Sequence, residues 1–130
     1  MSSFSVDIAA FCRRAQANQD IVVRKITFEL FSAVISKSPV DSGRFRGNWI
    51  VQSGSPSATV DYAKRDPSGA AATAQAAVVT ASVRAGDVVY MSNNLPYAQR
   101  LEYGYSKQAP GGMVRTSIQH IVAWVNSIRV

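Results

Sequence analysis

The chain is short of the residues that catalysis, disulfide bonding and membrane insertion require. Its 130 residues include one cysteine and one histidine, and 17% are charged, against roughly 25% in an average globular domain. The single cysteine, Cys12, excludes an internal disulfide. No apolar run approaches the roughly 20 residues of a membrane span, and the mixed, acidic N-terminus predicts no secretory signal. We therefore predict one soluble domain over residues 1–130, made in a reducing cytoplasm and without a membrane partner.

The same shortage argues against an enzyme. A catalytic triad or a histidine-based metal site would depend on His120 alone. Asp61 and Asp66 flank a basic pair, which fits local charge balance better than a two-carboxylate active site. Composition leaves open a metal site shared by Asp41, Asp66 and Asp87, but no loop has the spacing of calcium ligands. The chain also lacks the Gly-Lys-Ser/Thr of a phosphate-binding loop. We predict no catalytic, cofactor-binding or metal-binding residues.

Positive charge is in excess: the chain contains 14 Lys and Arg residues and 8 Asp and Glu residues, for a net charge of +6. A basic balance permits contact with nucleic acid. The basic residues are scattered, mostly in pairs, and form no block, which is more typical of solvated faces and ion pairs between subunits. A DNA-binding module nevertheless remains the alternative function.

Apolar residues at helical spacing predict most of the secondary structure. The N-terminal segment over 5–37 is predicted to be helical, with a break at Asn18 and an end before Pro39, since the residue before proline avoids the α conformation. Ser68 is placed to cap the next helix, Pro96 to lie in the first turn of a short one, and Gly104 to end it. These three later helices are predicted over 69–84, over 95–103 and from 113 onward.

Two short runs of β-branched and aromatic residues, at 48–52 and 88–92, predict strands. Between the first strand and the second helix, residues 53–68 are rich in Ser, Pro, Gly and Thr and predict a long loop, with a short edge strand near Val60. Such a long loop predicts an arm, over 53–66, that becomes ordered on a partner. Together these elements predict an α+β domain, with a small antiparallel or mixed sheet packed by a long N-terminal helix, a middle helix and a C-terminal helix.

Three runs of the chain, at 38–49, 93–104 and 106–115, carry a family resemblance. In order and spacing they resemble the signatures of a tailed-phage head–tail joining and tail-completion (neck) family, minor tail protein Z-like. Gly111 departs slightly from the pattern, which more often carries Ala there. The motif and predicted interface positions are Pro39, Asp41, Gly43, Arg44, Arg46, Trp49, Asn94, Tyr97, Leu101, Glu102, Tyr103, Gly104, Pro110 and Met113.

The resemblance implies a structural virion protein and no catalysis. It implies a homo-oligomeric ring in the neck or proximal tail, hexameric or alternatively twelvefold, made in the host cytoplasm. The implied partners are the connector or adaptor and the tail-tube or tail-terminator proteins, with non-specific contact to passing DNA. Within this resemblance, the alternative DNA-binding function would be that of a basic module acting in phage DNA packaging or ejection.

Aromatic residues are concentrated in the second run, where Tyr97, Tyr103 and Tyr105 lie within nine residues. Tyrosine and arginine are enriched where proteins dock, so this stretch predicts an interface patch. The alternative is a short helix that packs Leu101 and one ring on the core. We also hypothesise a contact from Arg44 or Arg46 to Glu102, which would define either the fold or the seam between subunits.

Overall fold

The computed structural model of the chain describes residues 19–127. This part contains five helices and one two-stranded sheet, so the predicted α+β class is confirmed. The first part of the predicted N-terminal helix, including Cys12, lies outside the described residues. In chain order the elements are α1 (Gln19–Lys37), α2 (Arg44–Gly47), β1 (Ile50–Ser53), α3 (Ala70–Thr80), β2 (Val89–Ser92), α4 (Ala98–Glu102) and α5 (Val114–Ser127).

The core lies where α1 meets α3, α5 and the inner face of the sheet. The predicted apolar stripe of α1 is confirmed, because Val22, Ile26 and Val34 are buried. On α5, Ile121 and Val125 are buried in the same way, four residues apart on one face. None of the helices within 19–127 is long and apolar enough to cross a membrane.

The two strands pair antiparallel, with Val51 opposite Met91. The outer edge of β1 is covered by a side chain instead of a third strand. Gln75 of α3 donates from Nε2 to the Val51 carbonyl at 2.6 Å, and its Oε1 accepts from the Val51 N–H at 2.9 Å. One amide side chain therefore supplies both hydrogen bonds that a neighbouring strand would make.

Replacing Gln75 with leucine is expected to lower the free energy of unfolding by about 2 kcal/mol, because the partly buried Val51 N–H and C=O would lose their partners. Urea denaturation measures the loss. The matched control is Gln52→Leu on the exposed face of β1, where Gln52 bonds only to the Ser55 hydroxyl; a change within about 0.5 kcal/mol is expected there. Equal losses in the two variants would contradict the strand-mimic role of Gln75.

Two predicted helix boundaries are wrong, one because of a tertiary contact and the other because of a local turn. The helix predicted over 69–84 ends at Thr80, since Val83 must turn inward, where it is buried and its carbonyl accepts from Arg24 Nε at 2.6 Å. Pro96 precedes α4 rather than lying in its first turn, because residues 95–97 form a turn and the helix begins at Ala98.

The cap predicted at Ser68 is only half of the capping arrangement of α3. Ser68 Oγ accepts from the Ala70 N–H at 3.2 Å. The buried carboxylate of Asp66 accepts from the next two amides, Ala71 at 3.4 Å and Ala72 at 3.0 Å. A carboxylate at this end also complements the helix dipole.

The loop over 53–68 is held by two asparagine side chains. Asn94 Nδ2 donates to the carbonyls of Ser57 at 2.7 Å and Thr59 at 3.2 Å. Asn48 accepts from the Asp61 N–H at 2.9 Å and donates to its carbonyl at 3.0 Å. The strand predicted near Val60 is wrong, because an amide side chain provides the pairing instead. These contacts within the chain hold the loop in place, and its ordering on a partner stays a prediction.

Candidate interaction surface

The three runs that carry the family resemblance meet in space. Asn93, in the second run, donates from Nδ2 to the Phe45 carbonyl of the first at 2.8 Å. Gln108, in the third, accepts from the Val40 N–H at 2.9 Å and donates to the Val40 carbonyl at 3.0 Å. Segments up to 68 residues apart in sequence are thus joined by hydrogen bonds into one structural unit.

Gly43 lies at a close approach of two backbone segments in this unit. It lies in the left-handed region at φ 88°, and its carbonyl accepts from the Asp66 N–H at 3.2 Å. A Cβ there would lie 2.5 Å from the Pro67 nitrogen. Glycine is therefore required both by backbone conformation and by the close approach of the 66–67 backbone.

Arg46 organises the interior of the first run. Its guanidinium donates to three backbone carbonyls, those of Ser38 at 2.6 Å, Pro67 at 2.8 Å and Ser36 at 3.1 Å. The three acceptors lie at the end of α1 and before α3, so one side chain fastens two helix ends. The hypothesised contact from Arg46 to Glu102 is not made within the chain.

Glu102 caps the C-terminal helix. Oε1 accepts from the N–H of Met113 at 2.9 Å and of Val114 at 2.8 Å, while Oε2 accepts from the Arg115 N–H at 3.1 Å. Oε2 also forms a salt bridge with Arg115 Nε at 3.1 Å. Gly112 packs so tightly on Glu102 that a side chain at position 112 would overlap its carbonyl oxygen. The hypothesis that a contact from Arg44 or Arg46 to Glu102 defines the fold is therefore wrong, because this carboxylate is bound by the amides of α5 and by Arg115.

The contacts of Glu102 also set its protonation. Partial burial raises its pKa, but hydrogen bonds from the amides of Val114, Met113 and Arg115 and from the Arg115 side chain outweigh that effect. The pKa of Glu102 consequently lies below its ordinary value of 4.5.

Trp49 and Met113 belong to the core rather than to the surface. Trp49 is buried and donates from Nε1 to Ser38 Oγ at 2.8 Å, and the Phe45 ring packs edge-on against it with centroids 5.7 Å apart. Met113 is 1% exposed. Gly104 ends α4 as predicted, lying so close to the carbonyl of Pro110 that a Cβ would fall 2.5 Å from that oxygen.

A groove of about 390 Å³ between the first run and the α4 region is lined in part by five further motif positions: Pro39, Asp41, Arg44, Tyr97 and Leu101. The Nε atom of Arg44 is buried and has no hydrogen-bond partner among the described residues. The groove lining mixes apolar side chains with polar ones. The groove is lined by Pro39, Val40, Asp41, Ser42, Arg44, Phe45, Tyr97, Leu101, Tyr105, Ser106 and Gln108.

Two exposed rings form what we term the tyrosine rim: Tyr103, which is 69% exposed, and Tyr105, which is 71% exposed and also lines the groove. The guanidinium of Arg115 lies 5.2 Å from the centroid of Tyr103, and that of Arg100 lies 5.4 Å from Tyr105. Cation–π contacts of this kind contribute about 0.5–1 kcal/mol at exposed sites. The predicted interface patch thus corresponds to an exposed aromatic surface, whereas Tyr97 and Leu101 pack against the core.

Sequence reasoning missed the side chains that join the runs. Gln108 and Asn93 act on carbonyls 68 and 48 residues away, and no local spacing rule relates such positions. Arg115 was missed as the partner of Glu102 for the same reason, although its place in the third run was visible.

His120 is exposed on α5, and no three His, Cys, Asp or Glu side chains between residues 19 and 127 are grouped so that they could hold a metal ion. Comparisons with protein-family models, with curated proteins and with solved structures find no match to this chain.

Proposed function

We propose that the chain is a structural protein of a tailed-phage virion, a tail-completion or neck subunit that forms a ring at the head–tail interface. One observation carries the proposal. The three runs that resemble the family signatures are joined by Asn93 and Gln108 into a single unit, and this unit presents the groove and the tyrosine rim.

The motif residues fall into two groups, one that holds the backbone in place and one that is exposed, and this separation supports an assembly role. Gly43, Arg46 and Glu102 maintain the backbone of the three runs. Tyr103 and Tyr105 stand outward beside the groove. A ring needs a heterologous contact, in which one surface of a subunit meets a different surface of the next. The groove and the adjoining tyrosine rim form one of the two surfaces that such a contact requires.

The proposal extends to partners and location. The ring is hexameric, with twelvefold as the alternative, and connects the connector or adaptor to the tail tube or tail terminator. The subunit is made in the host cytoplasm and works in the neck or proximal tail. The net charge of +6 suits a channel through which DNA passes. As a dedicated DNA-binding module the chain has weaker support, because Arg24 and Arg46 are engaged with backbone carbonyls.

The decisive experiment is cryo-EM of purified virions of the phage that encodes the chain. We expect ring density between connector and tail tube that fits residues 19–127. Absence of the chain from the particle would contradict the structural role, and a salt-dependent DNA-binding assay would then test the alternative.

Replacing both tyrosines of the rim with serine (Tyr103→Ser and Tyr105→Ser) is expected to abolish incorporation into virions. Each buried interface tyrosine contributes about 2 kcal/mol, or roughly 30-fold in affinity. The measurement is the amount of subunit per particle in a complementation assay. The control is Tyr62→Ser, which removes a ring that is 56% exposed but outside the groove lining. Normal incorporation of the double variant, with a fold unchanged by circular dichroism, would contradict the role of the rim.

A further inference from the structure

The outer edge of β2 is the least protected hydrogen-bonding surface of the fold. The Gly54 N–H donates to the Val88 carbonyl at 2.9 Å, so these two residues form a hydrogen-bonded pair. Bonded and non-bonded pairs alternate along an antiparallel sheet, and this bond therefore fixes which of the following pairs are bonded. In this alternation Val51 and Ser53 of β1, and Val89 and Met91 of β2, direct their N–H and C=O groups away from the partner strand. The two bonds from Gln75 to Val51 confirm the phase, because they satisfy the outward groups of that residue.

The two edges of the sheet differ in the hydrogen-bond partners of their outward backbone groups. Gln75 satisfies the outward groups of Val51 in the middle of β1. The outward N–H and C=O groups of both Val89 and Met91 on β2 have no hydrogen-bond partner in the part of the chain that the structure describes. The strand is accessible, since Val88 is 58% exposed and Tyr90 37% exposed. Proteins usually protect such an edge with lysine, proline or a bulge. The strand has neither residue, and no charged residue occurs from 88 to 99.

We propose that this edge pairs two copies of the chain, β2 against β2 in antiparallel orientation, into one four-stranded sheet. Centring the register on Tyr90 places Val89 opposite Met91 of the second copy at both bonded positions. The four outward groups of each copy then all gain partners. Tyr90 faces Tyr90 of the second copy at the central non-bonded pair, where side chains approach most closely and aromatic pairs are favourable.

The two-fold self-complementarity of the free backbone groups favours a second copy as the occupant. The outward groups of Val89 and Met91 are related by a two-fold axis through Tyr90, so every donor meets an acceptor. With a net charge of +6, copies repel over much of their surface, but the charge-free stretch from 88 to 99 allows close approach. A contact with two-fold symmetry uses the same surface on both copies, so it produces a dimer and does not extend further. It would pair free subunits or join two rings back to back, and it does not depend on the proposed phage role.

Disulfide trapping in the full-length chain tests the register. Cys12 is first replaced with alanine so that the introduced cysteine is the sole thiol. Tyr90→Cys is expected to give a disulfide-linked dimer, because non-bonded partners have Cα atoms about 4.5 Å apart, within disulfide range. Val88→Cys alone is expected to give no disulfide-linked dimer, since the two copies of residue 88 lie about 13 Å apart along the strands. Val88→Cys mixed with Ser92→Cys should cross-link again.

Absence of the position-90 dimer, or equal cross-linking at positions 88 and 90, would overturn the proposal. Hydrogen exchange of the unmodified chain gives a second readout that needs no substitution. Exchange of the Val89 and Met91 amides is expected to slow as protein concentration rises, in step with dimer measured by sedimentation velocity. Tyr90→Lys should weaken association at least about tenfold, because like charges would meet across the two-fold axis. A concentration-independent monomer would also overturn it.

Discussion

Replacing Glu102 with alanine is expected to lower the free energy of unfolding by about 3 kcal/mol. The substitution leaves the N–H groups of Met113, Val114 and Arg115 without their acceptor and removes the salt bridge to Arg115. Loss of a helix cap alone costs about 1 kcal/mol, and hydrogen bonds to a charged group contribute about 1.5–3 kcal/mol. Chemical denaturation followed by circular dichroism measures the change.

Glu102→Gln separates the charge from the hydrogen bonds. Glutamine keeps one acceptor oxygen, so its stability should lie between those of the wild type and the alanine variant. Glu29→Gln is the control, because this exposed carboxylate on α1 has no such partners and should change stability by less than about 0.5 kcal/mol. A Glu102→Ala variant as stable as the Glu29→Gln control would contradict the capping role.

The effect of Glu102 also depends on pH in a defined direction. Because its folded-state pKa is lowered from 4.5, the ionised carboxylate stabilises the fold fully above that ordinary value. The contribution falls as the pH drops below 4.5 and is lost once the pH passes below the folded-state pKa. The stability difference between wild type and Glu102→Gln should therefore shrink from pH 7 to pH 3. A difference that is constant over this range would contradict the assignment.

Gly43→Ala is expected to be at least as damaging, with a loss of about 3 kcal/mol or more. The new Cβ would collide with the backbone of Asp66 and Pro67 at 2.5–2.7 Å, and backbone cannot rotate away as a side-chain tip can. Left-handed strain contributes about 1–2 kcal/mol, and overpacking about 1–3 kcal/mol more. Thermal and urea unfolding measure the loss.

Gly54→Ala is a matched control for Gly43→Ala. Both glycines have φ 88°, but a Cβ at Gly54 would meet nothing within 4 Å. The control should therefore show only the left-handed strain, about 1 kcal/mol. Equal losses at the two positions would show that the close approach of the 66–67 backbone contributes nothing to stability.

The candidate surface could be predicted from sequence only in part. The tyrosine cluster indicated an exposed patch, and Tyr103 and Tyr105 form one. The same reasoning paired Arg44 or Arg46 with Glu102, whereas Arg46 binds carbonyls and Glu102 binds the start of α5. Opposite charges in two motifs suggest attraction, but a sequence does not show which backbone groups lie nearer.

The sequence by itself determined the elements whose signals are local. Apolar spacing determined the buried stripe of α1, β-branched runs determined both strands, and Gly104 marked the end of α4. These effects act within about four residues, so they are visible in a short window. The tertiary structure alone decided that Gln75 and Asn48 replace strands and that Glu102 caps a helix 12 residues away. Such bonds depend on where the packed core brings an amide or carboxylate to an unpaired backbone group, and no sequence spacing encodes that position.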